Sequence, residues 1–226
     1  MNETRKATTM KKYTLGFSGI LFIAAFLFAT VQAASALTLT FTNPSSITIP
    51  LAGTASPYPA IINVSGVSGP ITDLNVTLNA LSHTFINDVG AMLVGPGGQS
   101  VVLFDGVGGT TGVANVTLVF DDQATQNLPS GLITSGSYRP TNLISPPDVF
   151  PSPAPGLPYG SLLSVFNNTN PNGAWRLFVN DFAIPDGGSI AGGFGLQVTI
   201  VPEPASLFLL ALGLFPMASW LRRKEQ

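Results

Sequence analysis

Asn170-Pro171-Asn172-Gly173-Ala174-Trp175-Arg176-Leu177-Phe178-Val179-Asn180-Asp181 is the stretch whose reading decides the fold. Its first four residues form turns, and a strictly alternating run follows. Trp175, Leu177 and Val179 share one face, while Arg176, Phe178 and Asn180 share the other. An Asp closes the strand. Asp186-Gly187-Gly188 then turns the chain into a second alternating run, Phe194, Leu196, Val198 and Ile200. The expectation is a β-hairpin carrying the one Trp of the central region.

The same period runs back toward the N-terminus. Leu37-Thr38-Leu39-Thr40-Phe41 alternates, and Leu74-Asn75-Val76-Thr77-Leu78-Asn79-Ala80 is the cleanest such run, with Asn and Thr on its wet face. Val89-Gly90-Ala91-Met92-Leu93-Val94 is joined to Ser100-Val101-Val102-Leu103-Phe104 by Gly95-Pro96-Gly97-Gly98-Gln99, a tight connection. Residues 115–120 add a strand closed by Asp121-Asp122. Eight Pro crowd residues 123–160. Proline lacks the amide that a sheet interior needs, so a long surface excursion is expected there. About eight short strands with turn signals, and no helical period between them, predict a β-sandwich or jelly roll.

Charge separates three regions. Of the nine basic residues, Arg5, Lys6, Lys11 and Lys12 come first in the chain and Arg222, Arg223 and Lys224 last. Residues 37–200 keep only Arg139 and Arg176 against eight Asp, a net −6. With no basic patch to neutralise phosphates, a nucleic-acid partner is disfavoured. The chain has no Cys, so disulfides contribute nothing and stability must come from the core or from bound ions.

Both ends have the pattern of targeting segments. Residues 1–36 combine a basic start, an apolar run over 15–31 and Ala34-Ser35-Ala36, an A-x-A cleavage site for a signal peptidase. The length of the apolar run leaves an uncleaved signal anchor as the competing reading. At the other end Val201-Pro202-Glu203-Pro204 precedes an apolar stretch over 205–221 and then Arg222-Arg223-Lys224. About 17 apolar residues lie at the short end of a transmembrane helix, and the basic residues behind them stay cytoplasmic. The ends therefore describe a chain exported across an inner membrane and held there transiently by its tail.

Little in the middle suggests catalysis. His83 is the one imidazole, and no Ser–Asp pairing can be argued for it from the sequence. Asp121 and Asp122 are adjacent, so on a strand they face opposite ways and make poor partners for acid chemistry. Gly106, Gly108 and Gly109 lack the Lys-Ser/Thr and the helix of a phosphate loop and read as a flexible loop. Asp88, Asp121, Asp181 and Asp186 fall at strand ends or turns. Oxygen ligands from several loops are what Ca²⁺ takes, while Asp also favours turns through its own side-chain hydrogen bonds. Both readings stay open.

Two resemblances add to this. The tail, with Pro202-Glu203-Pro204, an apolar helix and a basic terminus, resembles the PEP-CTERM sorting signal of Gram-negative bacteria. That implies processing by an exosortase, a membrane transpeptidase, and delivery to the cell surface or extracellular matrix in bacteria that make exopolysaccharide and biofilm. The centre is similar to the P/Homo B domain, the β-sandwich that accompanies subtilisin-like proprotein convertases. The residues carrying this are Ile71-Thr72-Asp73-Leu74-Asn75-Val76-Thr77-Leu78, Ser82-His83-Thr84 with Asp88, Leu93-Val94-Gly95-Pro96-Gly97-Gly98, and the opening stretch with Asp186-Gly187-Gly188. Phe194 stands where that family usually has Trp. The resemblance implies Ca²⁺ at comparable turns and a strand-end role for the His-Thr pair.

The expectation is thus an all-β, jelly-roll-like sandwich over 37–200, closest to the P/Homo B pattern over 71–200. A signal helix (1–36) and a transmembrane sorting tail (201–226) flank it. Its expected role is non-catalytic: structural or adhesive, touching exopolysaccharide, or alternatively an accessory to a separate subtilisin-like protease at the surface.

Overall fold

The computed structural model describes residues 35–202. The signal segment through Ala34, and the tail from Glu203 with Pro204, Arg222, Arg223 and Lys224, lie outside the described residues, as do the two helices expected there. No helix among the described residues is long and apolar enough to cross a membrane. In chain order the strands are β1 (Leu37–Asn43), β2 (Ile47–Ile49), β3 (Gly53–Thr54), β4 (Ala60–Val64), β5 (Ile71–His83), β6 (Val89–Val94), β7 (Ser100–Asp105), β8 (Val113–Phe120), β9 (Gly136–Tyr138), β10 (Thr141–Asn142), β11 (Gly173–Asp181), β12 (Gly188–Ile190) and β13 (Phe194–Ile200). Two 3-10 turns, Ile86–Asp88 and Leu163–Phe166, interrupt them. The class is all-β.

The strands make two sheets. In the first, β5 pairs with β13 and β12 along one edge and with β8 along the other. Outside these lie β1 on β13, β2 on β12, and β9 parallel to β8. In the second, the order is β10-β7-β6-β11, with β4 and β3 sharing the far edge of β11. The inner faces meet in one apolar core that includes Leu74, Val76, Leu78, Phe120, Phe194 and Val198 from the first sheet and Ile62, Leu93, Leu103, Trp175, Leu177 and Val179 from the second. Trp175 is fully buried, its ring edge-on to Phe166 at 4.9 Å and its indole N–H donated to the Pro171 carbonyl.

β5 shows how a pattern becomes a register. Leu74, Val76 and Leu78 alternate into the core, and continued alternation would turn Ala80 and Ser82 inward. Leu81 and His83 are buried instead. Ala80 adopts φ +56°, and the pairing with β8 slips between Leu78 and Leu81. One unpaired residue shifts the phase by one, as a β-bulge does, and delivers His83 to the interior.

Three expectations need correction. β11 and β13 do not form a hairpin. Both edges of β11 are taken within the second sheet, and residues 182–187 carry the chain across to β12 and β13 in the first. The Asp-Gly-Gly signal marked a real turn, but a local turn signal does not say which sheet receives the next strand.

Residues 123–160 are also more than a surface excursion. β9 and β10 extend one edge of each sheet, and residues beyond them fold over the outer face of the second sheet. Phe150, with Ala154 and Tyr159 beside it, packs there on Met92, Val94, Val102 and Phe178 in a second apolar cluster. Proline removes ladder donors, yet it leaves aromatic side chains free to bury surface. The Tyr58 hydroxyl donates to the Pro151 carbonyl at 2.8 Å and ties this cover down.

The glycine loop 106–109 is packed rather than loose. Val107 is fully buried. Gly108 sits at φ +80° with the Ile86 side chain where a Cβ would stand, so glycine is required there for conformation and for space.

Candidate functional site

At one end of the sandwich the last residues of β5 and β11 meet. The His83 and Asp181 side chains are both fully buried, with Nε2 3.1 Å from Asp181 Oδ2. The Phe85 amide donates to His83 Nδ1 at 3.2 Å. A ring that accepts at Nδ1 carries its proton on Nε2, so His83 donates to Asp181. The Ala183 amide donates to the other oxygen, Oδ1, at 3.0 Å. The one imidazole thus clasps the first sheet to the second.

Two more carboxylates gather beside this clasp. Asp186 Oδ1 accepts the Thr84 hydroxyl at 2.6 Å. Asp88 is raised above the ordinary carboxylate range, chiefly by burial and then by the Asp181 and Asp186 charges. Asp121 is not with them. The charge it acts on is Asp73, and the Gln123 amide nitrogen, turned toward both, lies 2.6 Å from Asp121 and 3.0 Å from Asp73. Asp122, its neighbour, takes the Leu163 and Ser164 amides at 2.9 and 2.8 Å and so caps the second 3-10 turn.

The four Asp considered for Ca²⁺ therefore divide three to one. Both oxygens of Asp181 already accept protein donors, and one of Asp186 does. Among the described residues no group of three or more His, Asp or Glu side chains is placed to hold a metal ion. Ca²⁺ takes six to eight oxygens, so these side chains as arranged do not fit it.

At the opposite end of β13 the sheet runs directly into the expected sorting residues. Ile200 still pairs with Leu37 and with Ile71, and Val201 follows at once. Val201 and Pro202 lie against Gly69: a Cβ there would stand 3.0 Å from the Val201 carbonyl oxygen. Beside this junction is a cleft of about 240 Å³ lined by Val67, Gly69, Pro70, Asn168, Thr169, Asn170 and Asn172. The Asn172 amide spans it, exchanging hydrogen bonds with the Val67 backbone at 3.0 and 2.7 Å. The turn at residues 170–173 thus supplies part of the wall next to Val201 and Pro202.

Sequence reasoning missed the His83–Asp181 pairing. Its signal, a His at the end of one apolar strand and an Asp at the end of another, was visible. The phase slip at Ala80 that brings them together was not.

Comparison with known proteins adds one motif. Residues 201–224 match the family model of the PEP-CTERM protein-sorting motif. That motif implies exosortase-dependent sorting and export to the Gram-negative cell envelope or surface. No curated protein sequence matches the chain. Among solved structures, a chain from the complex of the Aeromonas sobria serine protease with its chaperone aligns at 13% identity and a TM-score of 0.35, over 81% of this chain and 29% of that one. The serine protease of Aeromonas sobria aligns at 14% identity and a TM-score of 0.32, over 80% of this chain and 30% of that one. The chain spans about three tenths of those chains.

Proposed function

We propose that the chain is a non-catalytic, exported β-sandwich of jelly-roll type, similar to the P/Homo B domain. An exosortase sorts it to the surface or extracellular matrix of a Gram-negative cell, where it serves a structural or adhesive role. The observation that carries this is the direct joining of β13 to the sorting motif. Ile200 is the last paired residue and the motif begins at Val201, so the sandwich is the cargo the signal delivers. The burial of the one imidazole in a clasp between sheets supports a role without chemistry, because a general base must reach a substrate. The acidic, sparsely charged domain suits contact with neutral or hydroxyl-rich exopolysaccharide through its Asn and Thr faces.

The test is expression of the full chain in an exosortase-bearing host beside a Pro202→Ala, Glu203→Ala, Pro204→Ala triple variant. The parent is expected to lose its tail and reach the surface, and the variant to remain full length in the inner membrane. Equal surface display of both would overturn sorting through this motif. Co-sedimentation of the purified chain with the host's exopolysaccharide tests the adhesive role, and no enrichment over a charge-matched control would remove it.

A further inference from the structure

Asp105 ends β7 on the outer face of the second sheet. It is 1% exposed, and among the described residues neither carboxyl oxygen has a hydrogen-bond partner. Next to it is Gly90, which supplies the room: a Cβ there would lie 3.3 Å from Asp105 Oδ1, 3.0 Å from Phe150 Cζ and 2.8 Å from Phe182 Cε2. Across the ladder from Gly90 is Asn180, 3% exposed, whose side-chain oxygen likewise has no partner among the described residues. A polar row is therefore sealed under aromatic rings. One of those rings, Phe150, belongs to the proline-rich cover. The cover is fastened at both ends to β7, by the Leu143 amide on the Asp105 carbonyl at 2.9 Å and by the Gly160 amide on the Ser100 carbonyl at 2.8 Å.

We propose that residues 143–160 form a proton-controlled cover on the outer face of the second sheet, shut while Asp105 is neutral and loosened when Asp105 ionises against Asp148. The surroundings favour the neutral form. Asp148, on the cover two residues before Phe150, is the one charge acting on Asp105. β6 presents Gly90, β11 presents Asn180, and β10 pairs its Asn142 with Asp105, all neutral. Arg139 and Arg176, the Lys and Arg residues among the described residues, form no ion pair there. Burial, then Asp148, push the Asp105 carboxyl up to about 7, against a smaller opposing pull from the Gly106 and Asp148 amides, which do not close well-formed hydrogen bonds. A proton fits this site better than a cation does. Two carboxylates and an amide oxygen fall short of the oxygens Ca²⁺ needs, and phenyl rings occupy the remaining side.

A carboxyl held at about 7 under the cover and at about 4 when exposed favours the shut form fully below the lower value. That preference is lost as pH rises through the window between them, by up to about tenfold per unit, and no further loss occurs above the upper value. Hydrogen exchange of the full chain in detergent, read on peptides from 143–160 and corrected for intrinsic rates, measures it. Opening is expected to increase from about pH 4 to about pH 7 and then level off. Asp105→Asn should remove most of the rise, leaving the smaller part due to Asp148, which burial also raises, and Asp148→Asn should end the rise at lower pH. A parent profile as flat as that of Asp105→Asn would overturn the proposal. If Asp105→Asn does not fold, a profile unchanged in Asp148→Asn overturns it. Protection restored by millimolar Ca²⁺ above pH 7 in the parent would overturn it in favour of a cation site.

Discussion

His83 Nε2 donates to Asp181 Oδ2 at 3.1 Å, and neither side chain is exposed to solvent. The two residues terminate β5 and β11, which belong to different sheets. A chain without cysteine thus fastens one end of its sandwich with a buried hydrogen bond to a carboxylate, where a disulfide would be the covalent alternative.

Removing either partner should therefore cost more than an average core contact. His83→Ala leaves the Asp181 carboxylate buried with one donor fewer and should destabilise the full chain by about 2–4 kcal/mol in urea titration. Asp181→Ala should cost a similar amount. The double variant should cost clearly less than the sum of the two, since the second truncation removes a group already orphaned. Additive losses would mean that the clasp is two independent contacts.

The phase slip in β5 makes a prediction with the opposite sign. Ala80 holds φ +56°, a left-handed conformation costing a residue with a Cβ about 1–2 kcal/mol. Glycine escapes that cost but loses about 0.5–1 kcal/mol to the freedom of the unfolded chain. Ala80→Gly should be neutral or stabilising by about 0.5 kcal/mol. A β-branched residue at the same position should destabilise by more than 1 kcal/mol, roughly. Denaturation midpoints compare the three.

Much of the fold was legible in the sequence because burial and alternation coincide. Leu74, Val76, Leu78, Trp175, Leu177 and Val179 were read onto core-facing positions and are there. What escaped was information carried by pairs distant in the chain. Nothing near Asp186 announces that β12 joins β5 instead of β11. Nothing near Phe150 announces Met92 and Phe178 beneath it. The acidic residues show the same limit. Position at turns picked out four Asp as a group, while the fold sends Asp121 to Asp73, pairs Asp181 with His83, and sets Asp88 and Asp186 beside that pair.

Phe150 is the anchor of the proline-rich cover, with edge-on contacts to Tyr159 at 5.8 Å and Phe182 at 5.6 Å. Phe150→Ala should release residues 143–160 while leaving the main core paired. Limited proteolysis should then cut first within that segment, with a global loss near the low end of the roughly 3–5 kcal/mol typical of a truncated core aromatic. Cleavage spread evenly along the chain would show that the outer cluster and the main core unfold as one.

Asp122 and Asp121, adjacent in sequence, should separate on substitution. Asp122→Ala leaves the Leu163 and Ser164 amides without their carboxylate cap and should cost about 1 kcal/mol. The Asp121 side chain accepts from the Gln123 backbone N–H two residues on, at 2.7 Å, in a local turn that an Asn oxygen can also close, so Asp121→Asn should fall within about 0.5 kcal/mol of the parent.

Calcium should have little effect on the melting temperature. A site saturated a hundredfold above its dissociation constant adds about 2.7 kcal/mol, or about 5–10 °C for a domain of this size. The full chain melted in EDTA and again in millimolar Ca²⁺ is expected to show no shift of that order. A rise that large would mean that Asp88 and Asp186 rearrange around an ion.

The union of β13 with the sorting motif has a mechanical consequence. β13 is flanked by β1 and β5, both antiparallel to it, through seven paired positions on each side. Tension applied at Val201 runs along the strand, at right angles to those hydrogen bonds. Two rows of bonds then share the load in shear, instead of opening one after another like a zip. A domain tethered through this residue would resist drag from flowing medium in its strongest direction.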